Sequence, residues 1–303
     1  FVYQSRGIGE SEPAQPRPFG TERTLIINPE SKFLKYSYVT PSYTLNTQMD
    51  HPWALHSHLS KAARWHGMTV AQDADARIVP VYIPTEPDFR GKTHPFSLDG
   101  MFKTFQHKNT LIVQRSRSFS EVNPDWYPLY KQRTDQGVYI GDAWDEHIEQ
   151  GGWIFLRRGA AYAGVRVALM DTAFEDEKFK RTTDGTQKFF NGAHDDATVK
   201  LEDQPYRYTD DRKFIVLNDR FSPVIIQAGD QNQFGSFEDF RTKIQQAPIA
   251  LHKTVVPSFN ILLFSPPSLD SKDGPEMVFN AANNEIPMLN NQYISYEHPM
   301  TFD

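Results

Sequence analysis

Apolar and polar residues alternate with a period of two along most of the chain. In a β-strand successive side chains point to opposite faces, so this alternation predicts strands that bury one face. Residues 33–39 show it most clearly, shortly before Pro41. Residues typical of turns recur at intervals of about 8–12 residues, as in all-β sandwiches. The chain is therefore predicted to be all-β: an antiparallel, multi-sheet β-sandwich, similar to a supersandwich, with one short helix.

The predicted strands are separated by residues that favour turns. Three pairs are joined by short turns, at residues 72–75, at residues 107–109 and at Gly159-Ala160. The predicted strands are residues 24–27, 33–39, 42–48, 65–71, 76–82, 101–106, 110–115, 152–158, 161–170, 214–217, 223–228, 251–256 and 259–264.

One segment, residues 236–246, has a clear helical pattern. Ser236 can cap the helix, and Asp239 stands three residues later in an arrangement close to a capping box. Three apolar residues fall on one face of this helix: Phe237, Phe240 and Ile244. We interpret this stripe as the side of the helix that packs against the core.

Composition excludes several classes of protein. The chain has 303 residues and a formal net charge of −6, which argues against binding to the phosphate backbone of nucleic acids. No apolar run approaches the roughly 20 residues that a membrane-spanning helix needs. Cysteine is absent, which removes disulfides, thiolate nucleophiles and Cys-ligated zinc. Aromatic residues make up 13% of the chain, as expected for strands or for surfaces that stack on sugars.

The sequence predicts a linker followed by one large domain. Residues 1–22 are rich in Gly, Pro and Glu and are expected to form a linker or a wrapping segment. Residues 23–303 are expected to form the β-sandwich, which can comprise two sub-sheets. The chain begins at Phe1 with neither Met nor a signal peptide, so we expect a further segment to precede it.

Candidate chemistry is concentrated in residues 49–67. This segment holds four of the ten histidines, two tryptophans and one arginine: His51, His56, His58, His66, Trp53, Trp65 and Arg64. In an extended chain His56 and His58 point to the same side, and an imidazole can act as a general base or as a hydrogen-bond donor. The alternative is a polar loop that packs over a sheet, with at most one turn of helix at residues 52–63. A divalent metal is possible but has no clear set of ligands, because no carboxylate is clearly placed with these histidines; the nearest are Asp50, Asp73 and Asp75.

Two further polar segments have simpler explanations. Residues 141–147 contain Trp144 and His147 among three acidic residues, which could bind a sugar or calcium. Their spacing does not fit an EF-hand, so an acidic surface loop is the favoured interpretation. Residues 194–196 are expected to form an exposed turn. Glycine-rich phosphate loops, H-E-x-x-H zinc helices and G-x-S-x-G nucleophile elbows are absent from the sequence.

Three stretches of the chain resemble a known family. They are residues 38–48 with 63–70 and 76–80, residues 152–166, and residues 222–229 with 234–240. They are similar to the β-sandwich half of the heparinase II/III-like polysaccharide lyases, in which a helical toroid precedes the sandwich. The resemblance extends from about residue 24 to the end of the chain. It implies that an N-terminal toroid, which these 303 residues do not include, supplies most of the substrate groove.

The resemblance also implies a reaction, β-elimination at a uronic acid. A base removes the C5 proton, and hydrogen-bond donors or a metal neutralise the carboxylate. Groups that could take part as base, acid or electrostatic partner are Tyr43, His56, His58, His66 and Arg64. Trp53, Trp65 and Trp144 could stack on the sugar. Substitution of His56 or His58 by alanine is then expected to lower turnover more than stability.

Two other functions remain open at this stage. One is a carbohydrate-binding or structural sandwich without chemistry. The other is a glycoside hydrolase, which requires two opposed carboxylates, and no convincing pair is present. A polymeric substrate would imply that the protein is secreted or periplasmic. The expected partners are a polysaccharide and a preceding toroid, without nucleic acid and without a membrane span.

Overall fold

A computed structural model of the chain describes twelve ranges of residues. They are 21–26, 33–50, 66–84, 102–115, 134–168, 186–191, 195–200, 205–218, 222–253, 260–269, 274–280 and 286–296. Within these ranges the chain forms 21 strands and two short helices. The predicted loop at residues 52–63 lies wholly outside these ranges. Of the predicted linker at residues 1–22, only residues 21 and 22 lie within them.

The elements follow the chain in this order. The strands are β1 (Thr21–Ile26), β2 (Phe33–Val39), β3 (Tyr43–Asp50), β4 (Gly67–Val70), β5 (Asp73–Pro84), β6 (Phe102–His107), β7 (Thr110–Arg115), β8 (Thr134–Tyr139), β9 (Glu146–Gln150), β10 (Trp153–Arg158), β11 (Ala161–Val167), β12 (Thr186–Asn191), β13 (Asp195–Lys200), β14 (Tyr206–Tyr208), β15 (Phe214–Leu217), β16 (Val224–Asp230), β17 (Ile249–Lys253), β18 (Asn260–Phe264), β19 (Met277–Phe279), β20 (Met288–Leu289) and β21 (Gln292–Tyr293). The helices are α1 (Gln231–Phe234) and α2 (Phe237–Gln246), both between β16 and β17.

The strands form two large antiparallel sheets and two small ones. The eight-stranded sheet has the order β1-β2-β3-β4-β5-β8-β15-β14, and the six-stranded sheet has the order β6-β7-β16-β11-β10-β9. Strands β12 and β13 form a separate pair, and β17 to β21 form a five-stranded sheet. The predicted all-β, antiparallel, multi-sheet sandwich is confirmed.

The two large sheets pack face to face and exchange hydrogen bonds across the interface. Gln106 of β6 donates from Nε2 to the carbonyl of Leu45 on β3, over 2.9 Å. Thr104, two residues earlier on the same face of β6, donates to the carbonyl of Gln48, also over 2.9 Å. Because unpaired buried polar groups are costly, these bonds allow polar side chains to lie inside an otherwise apolar interface.

Helix α2 and the five-stranded sheet cover the opposite face of the six-stranded sheet. The ring centre of Phe240 on α2 lies 6.0 Å from that of Phe155 on β10. Trp153, on the same face of β10, lies 6.1 Å from Phe264 of β18. The six-stranded sheet is therefore buried on both faces, which explains why β10, β11 and β16 are almost continuously apolar.

The predicted helix is confirmed. Ser236 is the N-cap, and its hydroxyl accepts a hydrogen bond from the backbone N–H of Asp239. The predicted apolar stripe is its buried face: Phe237, Phe240 and Ile244. Gly229 of β16 lies beneath α2, where an added Cβ would be 2.9 Å from the Phe240 ring. The glycine therefore lets the helix approach the sheet closely.

Two short polar segments differ from the sequence interpretation. The C-terminal end of the predicted acidic loop begins an edge strand, β9, which pairs with β10 from Glu146 to Gln150. Asp195 and Asp196, predicted to lie in a turn, begin β13 and pair with β12. Edge strands need no apolar face, so their sequences lack the alternation by which the other strands were found.

Among the residues that the structure describes, no helix is long and apolar enough to span a bilayer.

Candidate acid–base site between two edge strands

The structure describes three of the candidate catalytic and sugar-stacking residues: Tyr43, His66 and Trp144. Tyr43 begins β3 and is fully buried. Its hydroxyl donates to Oε1 of Gln233, over 3.0 Å. Burial, reinforced by neighbouring Tyr38 and Asp230, raises the pKa of Tyr43 well above its usual value. Its phenol therefore stays protonated at neutral pH.

His66 precedes β4 and is buried between the two large sheets. Its Nδ1 lies 2.8 Å from Oγ1 of Thr47 and 3.3 Å from the backbone N of Gln48. Thr47 also donates to Oγ1 of Thr104 on the facing sheet, over 2.8 Å. These contacts make His66 part of the polar network that joins the sheets.

Trp144 lies in the connection between β8 and β9 and is half-buried. Its indole Nε1 donates to the carbonyl of Ile140, which fixes the orientation of the ring. The remaining predicted site residues lie outside the described residues: Trp53, His56, His58, Arg64 and Trp65. The functional role predicted for residues 49–67 therefore stays a prediction.

A different group of polar side chains converges where the two large sheets meet at one edge of the sandwich. Strand β9 is an edge of the six-stranded sheet, and β14 is an edge of the eight-stranded sheet. His147 and Glu149 project from the same face of β9 because they are two residues apart. They meet Tyr206 and Tyr208, which are likewise two residues apart on β14, and Arg212 from the following turn. We call these five residues the edge cluster.

Hydrogen bonds and charge connect the members of the edge cluster. Nε2 of His147 lies 3.1 Å from the hydroxyl of Tyr208 and 3.9 Å from Oε1 of Glu149. The Tyr206 hydroxyl donates to Oε2 of Glu149, over 3.2 Å. Arg212 donates from Nη2 to Oε1 of the same carboxylate, over 3.3 Å. Glu149 is therefore the common acceptor for both an aromatic hydroxyl and a guanidinium.

Partial burial makes the His147 imidazole neutral at neutral pH. Burial lowers the pKa of His147, the negative charge of Glu149 acts in the opposite direction, and the positive charge of Arg212 lowers the pKa further. A neutral imidazole has one nitrogen without a proton, which can accept a proton from a substrate.

The two tyrosines of the cluster are held in their protonated form. Burial raises the pKa of Tyr206 to about 12, and the nearby carboxylate of Glu149 contributes to the rise. Burial also raises the pKa of Tyr208, with further contributions from Tyr206 and Glu149. At neutral pH each phenol is a proton donor rather than a base.

The turn between β14 and β15 positions the Arg212 side chain over Tyr208. The guanidinium carbon lies 4.2 Å from the centre of the Tyr208 ring, within the range of a cation–π contact. Asp211 fixes the turn by accepting hydrogen bonds from the Thr209 hydroxyl and from the backbone N–H of Lys213. Arg212 itself has a φ of 56°, in the left-handed region that non-glycine residues rarely occupy.

The acidic side chains of residues 141–147 form ion pairs next to the edge cluster. Nη1 of Arg158 lies 2.6 Å from Oδ1 of Asp145, and its Nη2 lies 2.7 Å from Oδ2 of Asp73 on the facing sheet. The N–H of Gly159, followed by the Arg158 side chain, lowers the pKa of Asp145. Among the described residues, no group of three or more His, Asp or Glu side chains could hold a metal ion.

The sequence located part of this site. His147 lies in the polar segment noted at residues 141–147, but the other four members carried no recognisable motif. Tyr206 and Glu149 are 57 residues apart in the chain, and Tyr208 and His147 are 61 residues apart. Only the stacking of the two sheets brings these residues together.

Comparisons with protein-family models, with curated proteins and with solved structures find no match to this chain.

Proposed function

We propose that the chain is the β-sandwich portion of a carbohydrate-active protein, a polysaccharide lyase that cleaves a uronate-containing polymer by β-elimination at the edge cluster. The observation that carries the proposal is the 3.1 Å contact between Nε2 of His147 and the Tyr208 hydroxyl. It pairs a neutral base with a protonated acid at a partly exposed edge. Such a pair suits β-elimination, because one proton leaves C5 and another goes to the departing oxygen.

We assign the two roles from protonation at neutral pH, at which the lowered pKa of His147 leaves a neutral imidazole and the Tyr208 hydroxyl carries its proton. His147 is neutral and accepts the C5 proton at an imidazole nitrogen. The electron pair left at C5 forms the C4–C5 double bond as the C4–O4 bond breaks, and the Tyr208 hydroxyl donates its proton to O4. The products are an unsaturated uronate and a new chain end. Transfer of a proton from the imidazolium to the phenolate, across the existing contact, then restores both groups.

Glu149 and Tyr206 act as positioning residues in this proposal. Glu149 accepts from Tyr206 and from Arg212, so it holds the guanidinium beside Tyr208. A cation at this place stabilises the transient phenolate of Tyr208. The arrangement therefore supplies both the acid–base pair and the charge that the acid needs when it loses its proton.

The resemblance to heparinase II/III-like lyases adds proposals about the rest of the protein. A helical toroid would cover the sandwich and complete the substrate groove, and His56, His58 and Arg64 of the histidine-rich segment would contribute to substrate binding or catalysis. A polymeric substrate would place the protein outside the cytoplasm, secreted or periplasmic.

The experiment uses the full-length protein with uronate polymers and follows the ultraviolet absorbance of the unsaturated product. His147→Gln and Tyr208→Phe are each expected to lower turnover by about 10²-fold or more, as expected for loss of a general base or acid. Tyr293→Phe is the matched control, because this tyrosine is 69% exposed and lies outside the edge cluster. Unchanged turnover in both edge-cluster variants would contradict the proposal.

A non-catalytic carbohydrate-binding sandwich is the second candidate. It is favoured by the position of Tyr206 and Tyr208 on one edge strand, because an aromatic ring with a hydroxyl can both pack against a sugar and hydrogen-bond to it. This function predicts that the polymer binds to the wild-type protein and that no unsaturated product forms.

A further inference from the structure

Arg212 is the member of the edge cluster that is most open to solvent. Its side chain is 62% exposed, whereas that of His147 is 31% exposed. Its interactions with the cluster are one contact with Glu149, over 3.3 Å, and the cation–π contact with Tyr208. A guanidinium has five N–H donors, so most of its hydrogen-bonding capacity faces the solvent side of the cluster.

The backbone holds this guanidinium in place at some cost. A φ of 56° is unfavourable for arginine, and Gly or Asn would adopt it with less strain. The hydrogen bond from the Arg212 N–H to the Thr209 carbonyl, over 2.8 Å, closes the turn. The guanidinium thus lies over the Tyr208 ring, 4.2 Å from its centre, and its 62% exposed side chain remains accessible to a ligand.

We propose that Arg212 binds the carboxylate of the uronate, an inference that rests on the proposed function, and that it makes the edge cluster select uronic acids over neutral sugars. The planar fork of an arginine matches the two oxygens of a carboxylate, and the charge-assisted pair of hydrogen bonds is stronger than a contact with a sugar hydroxyl. Since the guanidinium already lies beside Tyr208, a carboxylate bound to it places the adjacent C5–H close to the His147–Tyr208 pair.

Glu149 makes the binding of an acidic sugar depend on Arg212. A ligand carboxylate that approached the cluster without Arg212 would meet the negative charge of Glu149 alone. With Arg212 present, the ligand carboxylate can bind the guanidinium alongside Glu149, or it can take the place of Glu149 as the hydrogen-bond acceptor. A neutral sugar gains neither interaction. The same charge balance links Arg212 to His147, because the positive charge of Arg212 lowers the pKa of His147. A bound carboxylate is expected to offset this effect.

The test measures binding of pectate- and alginate-derived tetrasaccharides, and of their carboxyl-reduced forms, to the full-length protein by calorimetry. We expect the wild-type protein to prefer the acidic forms and Arg212→Gln to lose about 10- to 100-fold in affinity for them, the range for a charged hydrogen-bonding partner. Arg212→Lys keeps the charge without the fork and is expected to be intermediate. Arg207→Gln is the matched control, because Arg207 is an exposed arginine of β14 that bonds to Asn218 instead.

A second readout separates recognition from a purely structural role. The pKa of His147, followed by NMR at a tetrasaccharide concentration that saturates the wild-type protein, should rise when the acidic tetrasaccharide is added. At the same concentration the rise should be smaller in Arg212→Gln, because less of the sugar is bound. Equal preference for acidic sugars in wild type and Arg212→Gln would overturn the role of Arg212 and leave the proposed function intact. If neither the acidic nor the reduced sugars perturbed His147 in the wild-type protein, the proposed function would fail and this inference with it.

Discussion

His147 and Tyr208 are 61 residues apart in the chain, yet the imidazole Nε2 and the phenol oxygen lie 3.1 Å apart. His147 belongs to the edge strand of the six-stranded sheet, and Tyr208 belongs to the edge strand of the eight-stranded sheet. The contact therefore depends on how the two sheets pack against each other. Each edge strand contributes one half of an acid–base pair.

The pH dependence of turnover should report the protonation of His147. Because burial lowers its pKa, the imidazole stays neutral down to a pH below 6.5 and becomes protonated only at lower pH. Turnover should therefore be constant near neutral pH and should fall as the pH decreases through this lowered pKa. The measurement is kcat/KM against pH for the wild-type protein. An acid limb centred above pH 6.5 would argue against His147 as the base.

The raised pKa of Tyr206 predicts how stability changes in alkali. The folded state holds this proton up to a pH of about 12, whereas the unfolded chain releases it near the ordinary tyrosine pKa of 10.0. The contribution to stability is thus complete below about pH 10 and is lost as the pH rises towards about 12. The free energy of unfolding, measured by denaturant titration, should fall less steeply over this interval in Tyr206→Phe than in the wild type. Tyr293→Phe should behave like the wild type, and identical slopes in all three proteins would contradict the prediction.

Gly67 should be one of the least replaceable residues of the sandwich. Its φ is 121°, and an added Cβ would lie 2.0 Å from the carbonyl oxygen of Ile78 on the neighbouring strand. Gly67→Ala must therefore move β4 away from β5 and displace the adjacent His66. We expect a loss of about 3 kcal/mol or more, as for strain combined with overpacking.

Gly159→Ala is the matched control for this substitution. Gly159 also has a positive φ, 54°, but an added Cβ meets no atom within 4 Å. Its substitution should cost about 1 kcal/mol from backbone strain alone. Equal losses of unfolding free energy in the two variants, measured by denaturant unfolding, would show that the contact with β5 does not determine the cost of replacing Gly67.

Phe240 should contribute strongly to the packing of α2 on the six-stranded sheet. It is fully buried and contacts Phe155, Tyr162 and Phe234 through its ring. Phe240→Ala is expected to lower the free energy of unfolding by about 3–5 kcal/mol, the usual range for removal of a buried phenyl ring. Glu238→Ala, on the exposed face of the same helix, should change it by at most about 0.5 kcal/mol. A small effect of Phe240→Ala would indicate that α2 is not packed as described.

The sequence predicted the interior of the sandwich better than its edges. Strand β2 and helix α2 were found from their patterns, because each buries a regular set of apolar side chains against a neighbour. The first two residues of strand β9 were assigned to a loop and the other three were not predicted as a strand, since an edge strand rich in Glu and His carries no such pattern. Strand β14, with only three residues, is too short for a pattern to be recognised.

The candidate site was harder to predict for a related reason. Its members come from two edge strands and a turn, and their proximity depends on how two sheets stack. Local sequence drew attention to His147 among neighbouring acidic residues, but it gave no sign that Tyr208 or Arg212 would lie beside it. The clustering of histidines at residues 49–67 was the stronger signal in the sequence, and most of that segment lies outside the described residues.

A double-mutant cycle tests most directly whether His147 and Tyr208 act as one acid–base pair. The measurement is the rate at which the full-length wild-type protein, His147→Gln, Tyr208→Phe and the double variant form the unsaturated uronate product. If the two residues act together, the double variant should be within about threefold of the slower single variant, because either substitution already disables the pair. Rate losses that multiply in the double variant, or variants as fast as the wild type, would contradict the account.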